Sequence, residues 1–591
     1  MNPRAPLCLL LLCAPALAQF NDPWVAFEEA PAMLAAGVIS DVNHETDLAW
    51  ADLDLNGFVD VVVARKQPFT TAGKRPNVLL MNVDGVLTDL TAALASASDF
   101  PGDAGFLTPT NDRDVVIADL DADGFAEVIT AADLGSGEPK HISHPRVYQN
   151  LRGGAGASWL GLRYEDARIP QLFHLVSGLP VDPRFVAVAA GDVDNDGFVD
   201  LYFGDNDTGA TLFGPLEPPS EDCNDRLLIN DGTGFFSDQT ALALTPEMVD
   251  SNFCNSVTMG DFNQDGTLDV LKQTTYAPSN SAWIAYNDPS SPGSFVAFDP
   301  IWTQTPYFVA KGDLNNDGRL DVVIEQNNND KVLFNLSTAP SGLVNWSADV
   351  DLAYLVGGDQ GYASNTLVAD LDGDGWRDVL IADVDPEIPL YMNGFRTHVY
   401  HNRGGTVGGT DIVLIEERAS TSDSDWIGVV GLTASDLEFA HDVAVFDIDV
   451  DGRVDILISR RDGTQVWRQV PQPVCQADIG YGDGQPVLEI CGGDLASGND
   501  ATLRIFNATP NAPAFVSVAA SANPTFVPQL GGTFAALPSL FLLQLQTDGS
   551  GELSMTVPGG GGPVSYVTQA VVVDGPGALS ATNALQVDFL P

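Results

Sequence analysis

The chain has 591 residues, with 80 acidic and 26 basic side chains and a formal charge of −54. So negative a field repels nucleic acid and anionic lipid, which excludes both as partners. A hydrophobic content of 45% with Gly 57 and Pro 38 excludes disorder and points to a β-rich, loop-rich chain longer than one core requires.

The N-terminus, MNPRAPLCLLLLCAPALAQF, has one Arg, an apolar stretch from Leu7 to Cys13, and Ala16-Leu17-Ala18. It reads as a secretory signal over residues 1–18, so the mature protein is expected to be secreted or associated with the cell envelope. No later segment approaches the ~20 apolar residues that span a bilayer. Losing the signal removes Cys8 and Cys13. An oxidising compartment then permits Cys223–Cys254 and Cys475–Cys491, the pairings favoured by proximity in sequence.

Seven copies of one acidic loop follow, beginning at Asp52, Asp119, Asp192, Asp261, Asp313, Asp370 and Asp447. Position 3 is Asp54, Asp121, Asp194, Asn263, Asn315, Asp372 and Asp449. Position 5 is Asn56, Asp123, Asp196, Asp265, Asp317, Asp374 and Asp451, and position 6 is always Gly. Position 9 is Asp60, Glu127, Asp200, Asp269, Asp321, Asp378 and Asp455. Alternate oxygen donors on a tightly curled loop can converge on one hard cation. Ca²⁺ takes 6–8 oxygens, and Gly permits the sharp turn. An EF-hand needs a Glu at position 12 between helices. Here position 12 is Val63, Thr130, Phe203, Lys272, Ile324, Ile381 or Ile458, in strand-like surroundings, so that motif is excluded.

Each loop is preceded by a strand of small and β-branched residues, such as 443–446, and followed by another, such as Val61-Val62-Val63. A third strand then tends to end in Asn, at Asn82, Asn150, Asn230, Asn287, Asn335 and Asn402. Clear fourth strands follow at 86–91 and 235–240. Four strands per copy, repeated radially, are the pattern of a β-propeller. The seventh copy stops at its third strand, 465–468, while residues 25–30 resemble a fourth. The N-terminal strand is therefore expected to complete the last blade and cover a bare sheet edge.

These segments resemble FG-GAP/VCBS repeats, the calcium-binding blades of integrin-α-like propellers, over roughly residues 24–470. The resemblance implies an all-β, seven-bladed β-propeller over 19–470 with calcium loops. Up to seven Ca²⁺ ions would be held by positions 1, 3, 5 and 9 and the position-7 carbonyl. The integrin form continues into Gly-Ala-Pro after the second strand. Here the matching spots read Ala64-Arg65-Lys66 or Gly204-Asp205-Asn206, and no Arg-Gly-Asp occurs, which puts the bacterial VCBS form ahead.

After Pro473 the acidic loops give way to alternating runs at 501–506, 514–519, 540–546, 552–557, 565–573 and 584–590, separated by Gly-rich turns. They read as a small C-terminal β-sandwich over 474–591. No Gly-x-Ser-x-Gly elbow, His-Glu-x-x-His or P-loop occurs. His398 and His401 fall on opposite faces of a strand, which argues against a shared ligand pair. Asp47, Asp114 and Asp442, each five residues before its loop, could line an axial channel, but capping of strand ends suits them better. The function expected is a non-enzymatic adhesion or interaction module for an extracellular protein or glycan. A propeller-based polysaccharide lyase or hydrolase, or a structural envelope or matrix component, are the alternatives.

Overall fold

The computed structural model describes residues 24–590 except 40–44, 67–73, 135–136, 155–157, 176, 206–220, 223, 250–253, 275–280, 327–328, 339, 341, 353–361, 385–395, 417–426, 439, 461–462, 472–473, 482–485, 493–494, 499 and 531. The proposed signal at 1–18 lies outside them, as does Cys223. The chain is all-β and divides into two units, 1–470 and 471–591.

Among the described residues of the first unit, seven sheets of at least four strands follow one another, each built on an antiparallel meander, and two of them carry a short parallel edge strand, Ala97–Ser98 in the second and Val429–Val430 in the seventh. The first runs Glu45–Ala51, Asp60–Lys66, Val78–Val83, Val86–Asp89, and the third Phe185–Gly191, Asp200–Asp205, Arg226–Asn230, Phe236–Asp238. In every sheet an acidic loop joins the first strand to the second. The seventh, Ala440–Phe446, Asp455–Arg460 and Gly463–Gln469, takes its fourth strand from the N-terminus. Val25–Glu29 pairs antiparallel with it in the register Phe27↔Gln469, Glu28↔Arg468 and Glu29↔Trp467.

The first strand of each sheet packs on the first strand of the next, and that of the seventh packs on that of the first, closing a ring. Each of the seven joints has its own apolar core. Between the seventh sheet and the first, for example, lie Phe446, Leu457 and Val466 with Val61, Val63 and Leu80; other clusters fill the remaining joints. A sheet with neighbours on both faces buries both sides of its strands. That explains why the second strands read as continuous runs such as Asp-Leu-Tyr-Phe-Gly-Asp, buried at all six positions. Apolar residues predominate in most of these runs because neither face meets water.

Among the described residues the second unit has two larger antiparallel sheets and a two-stranded ribbon of Thr525–Val527 with Gly532–Phe534. One is ordered Val474–Cys475, Val487–Gly492, Ala501–Phe506, Leu553–Val557. The other is ordered Ala477–Asp478, Ala578–Phe589, Val564–Gly575, Pro513–Ala519, Ser539–Gln546. Leu488, Leu503 and Ile505 of the first share an apolar core with Val516, Val572 and Leu585 of the second. Cys475 stands opposite Cys491 in the ladder.

One expectation is corrected. Cys254 is a free, buried thiol rather than half of a Cys223–Cys254 bridge. It packs with Val186 and Ala187 of the neighbouring sheet, its Sγ 3.4 Å from the Ser256 carbonyl, and burial pushes its pKa well above the thiol range. It serves as a small core residue.

Candidate metal centres

The third loop shows how the acidic repeat is built. Both oxygens of Asp192 accept backbone donors, from Asp196 N–H at 3.1 Å and Gly197 N–H at 2.9 Å. Asp194 Oδ1 accepts from Asp196 N–H at 3.2 Å, and Asp196 Oδ1 from Phe198 N–H at 2.9 Å. Position 1 is bonded in the same way in loops one, two, four, five and seven. In loop six, Gly373 supplies the first donor to Asp370.

So tight a curl requires left-handed backbone at two places. Position 4 has φ between +54° and +60° in six loops and +76° at Gly373, and the invariant Gly has φ between +80° and +95°. A Cβ on any of these seven invariant glycines would meet nothing within 4 Å. Glycine is needed there for its dihedral freedom and not for space.

Position 9 is the most buried member. One oxygen of Asp200 accepts from Val193 N–H at 3.0 Å and the other from Asn230 N–H, at the end of the third strand, at 2.9 Å. All seven copies repeat both bonds. Burial outweighs these donors and pushes the acids up. Asp60, Asp200 and Asp321 reach about 7, Glu127, Asp269 and Asp378 about 8, and Asp455 about 6. Asp54, Asp121, Asp194 and Asp372 are raised as well, by burial first and by adjacent carboxylates.

Such loops concentrate negative charge. The donor set fits a hard divalent cation. One oxygen from each of Asp52, Asp54 and Asp60 lies within 4.8 Å of the others, and the same holds for Asp119, Asp121 and Glu127, for Asp192, Asp194 and Asp200, and for Asp370, Asp372 and Asp378. Asp121 Oδ1 and Asn315 Oδ1 are buried acceptors that no donor satisfies. Calcium is the ion suited to all-oxygen ligation of this kind. Residues at positions 1, 3, 5 and 9 would hold it, and its charge would relieve the raised carboxylates.

Two further residues per copy tie the loop to the ring. Position 2, which is Leu53, Leu120, Val193, Phe262, Leu314, Leu371 or Ile448, is at most 1% exposed and sits in the joint with the next sheet. Its carbonyl accepts from the side-chain amide that ends the third strand of that next sheet. These bonds run Asn82 to Ile448, Asn150 to Leu53, Asn230 to Leu120, Asn287 to Val193, Asn335 to Phe262, Asn402 to Leu314, and Gln469 to Leu371, at 2.5–2.9 Å. The terminal Asn was visible in sequence, but its partner was not. Position 2 is apolar in all seven copies, a signal that could have marked it.

Asp47, Asp114 and Asp442 stitch the inner strands together. Asp442 Oδ2 accepts from Leu48 N–H at 2.7 Å, Asp47 Oδ2 from Val115 N–H at 3.0 Å, and Asp114 Oδ2 from Val188 N–H at 2.7 Å. Each reaches forward into the next sheet. His398 and His401 are apart in chemistry. His398 Nδ1 lies 3.4 Å from Glu416, whereas His401 stacks on Trp24 and lies 3.7 Å from Asp372. His144 is neutral, its pKa lowered by burial to about 3, with Nε2 accepting from Leu172 N–H at 3.3 Å.

A family model described as FG-GAP-like repeat matches residues 192–271 and 313–381, two segments that each open on an acidic loop. These two segments carry FG-GAP-like repeats, and both lie in the ring of the first unit. No curated protein matches the chain. Among solved structures, the exo-β-1,3-galactanase of Phanerochaete chrysosporium is similar at 12% identity and a TM-score of 0.29, covering 84% of this chain and 99% of that one. The Dos1 propeller is similar at 10% identity and a TM-score of 0.37, covering 75% and 95%. Both likenesses are weak, and no functional assignment rests on them. Among the described residues no helix is long and apolar enough to cross a membrane.

Proposed function

We propose that the chain is an exported, calcium-stabilised, seven-bladed FG-GAP propeller followed by a C-terminal β-sandwich. It serves as a non-enzymatic adhesion or interaction module for an extracellular protein or glycan. The observation that carries this reading is the sevenfold repetition of one loop in which acidic oxygens converge and the position-9 carboxylate is held above its ordinary range. Calcium in these loops supports the ring, because position 2 links each loop to the neighbouring sheet. Recognition then belongs to the segments that vary between copies. A lyase or hydrolase would need acids outside the loops. Asp47, Asp114 and Asp442, the acids that could line an axial channel, are bonded to backbone N–H groups of the adjoining sheet, which favours the binding module.

The test is a glycan-array and protein pull-down screen with the mature chain, with and without chelator, beside turnover assays on the same glycans. Calcium-dependent capture without turnover is expected. Turnover that survives substitution of loop acids would overturn the module in favour of the enzyme. Recovery only with the insoluble envelope would favour a structural role. A thermal melt checks the metal, with a lower Tm expected in chelator and an unchanged Tm counting against calcium.

A further inference from the structure

The seven loops are not chemically equal, and the seventh departs furthest. Its position-3 and position-5 carboxylates already face guanidinium groups. Arg468 Nε lies 2.6 Å from Asp449 Oδ2, and its Nη2 lies 2.7 Å from Asp451 Oδ2. Arg453, at position 7 of the same loop, also donates to Asp451 Oδ2. The third loop has Phe198 in place of Arg453 and Ile229 in place of Arg468. Its Asp194 and Asp196 accept from backbone N–H groups.

Resting on the calcium reading above, we infer that Arg468, with Arg453, is the resident counter-ion of the seventh loop. This loop takes no calcium, so bound ions are confined to the other six. A planar guanidinium matches two carboxylates at once, and an entering divalent ion must both break these charge-assisted bonds and stand beside two positive charges. Calcium affinity follows the net charge of the ligand set, which here is four carboxylates opposed by two guanidinium groups. Loops two and five are intermediate. Arg152 reaches Asp121 and Asp123 from an exposed position, and Arg319 pairs with Asp317.

The location gives the substitution a purpose. The seventh sheet is the one completed by the N-terminal strand, where Glu28 stands opposite Arg468, with Oε1 3.8 Å from its Nη1. Arg468 thus links the loop to the closing strand through a fixed cation. The seam of the ring stays neutralised when calcium is scarce, while the other joints depend on it.

Counting bound calcium by native mass spectrometry tests this with a matched pair of variants at position 3. Asp194→Ala is expected to lose one ion relative to the wild type, and Asp449→Ala to lose none. Combining Arg468→Gln with Arg453→Ser is expected to gain one ion, because it frees the seventh loop. Loss of an ion from Asp449→Ala, or no gain in the double variant, overturns the inference and leaves the calcium reading intact. A wild type that binds no calcium overturns that reading itself. Circular dichroism of each variant shows whether it is folded, and Asp451→Ala, compared with Asp196→Ala, replaces Asp449→Ala if that variant is not.

Discussion

Strand Asp269–Thr274 of the ring and strand Ala501–Phe506 of the C-terminal unit are both six residues long and have opposite burial. The first is buried at every position, Lys272, Gln273 and Thr274 included, whereas the second alternates between buried and exposed along most of its length. A strand with a neighbour on each face has no solvent in which to leave a polar group, so the fold must answer each one internally. Lys272 Nζ lies 2.6 and 2.5 Å from the two oxygens of Asp225, and both side chains are fully buried. Gln273 donates to the Pro306 carbonyl at 2.7 Å and accepts from Asn255 N–H at 2.9 Å. In the C-terminal unit, Arg504 is about half exposed and its pairing with Glu489 at 3.1 Å meets water. Equal lengths of strand thus carry very different obligations.

The contrast between the units is sharpest in pH dependence, because the seven raised carboxylates all belong to the ring. Their folded values of about 6 to 8 lie above the ordinary carboxylate range, so without metal the native ring holds more protons than the unfolded chain between about pH 4 and 8. The contribution of these groups to stability is present at the acid end of that window and is lost as pH rises through the folded values. In chelator, the ring's Tm is expected to fall from pH 5 to pH 8 while the C-terminal transition stays in place. Calcium, which binds the ionised form, should raise the ring's Tm more at pH 8 than at pH 5. Parallel behaviour of the two transitions in calorimetry would break the comparison.

Next in size is Asp225→Ala, which leaves the buried Lys272 facing the Asp205 carboxylate at 3.8 Å in place of its two short bonds and should cost about 3–5 kcal/mol in denaturant unfolding. Gly197→Ala meets open space but must adopt φ +95°, and should cost about 1–2 kcal/mol through the backbone alone. The smallest effect is expected for Arg504→Ala in the C-terminal unit, at most about 1 kcal/mol, because its ion pair is screened by solvent. A loss at Arg504 as large as that at Asp225 would erase the distinction between enclosed and one-sided strands.

Different parts of the molecule were legible in sequence for different reasons. The acidic loops announce themselves because a curl with alternate inward oxygens tolerates few residue types, and the run at 501–506 matches its strand because one-sided burial imprints period two. The N-terminal strand was legible by subtraction, since the third strand ending at Gln469 lacked a partner. Outer strands such as Leu162–Tyr164, Val350–Asp351 and Leu414–Ile415 were not recognised, because two or three residues carry no period. The Cys223–Cys254 expectation failed because closeness in sequence says nothing about which face a thiol occupies. Nor could the sequence reveal that Arg468 faces Asp449, since only the hairpin register brings together residues nineteen apart.

The pairing of Val25–Glu29 with Gly463–Gln469 also governs how the ring meets mechanical load. In this antiparallel pair, Trp24 and Val470 lie at the same end, with Val470 N–H bonded to the Ala26 carbonyl at 2.9 Å. Tension applied between these two residues pulls the strands apart like a zipper, loading one ladder bond at a time, not all of them in shear. What resists beyond that ladder is the other edge of the same strand, where Val25 and Ala26 pair with Val429 and Val430 and Trp24 N–H donates to the Gly428 carbonyl at 3.1 Å.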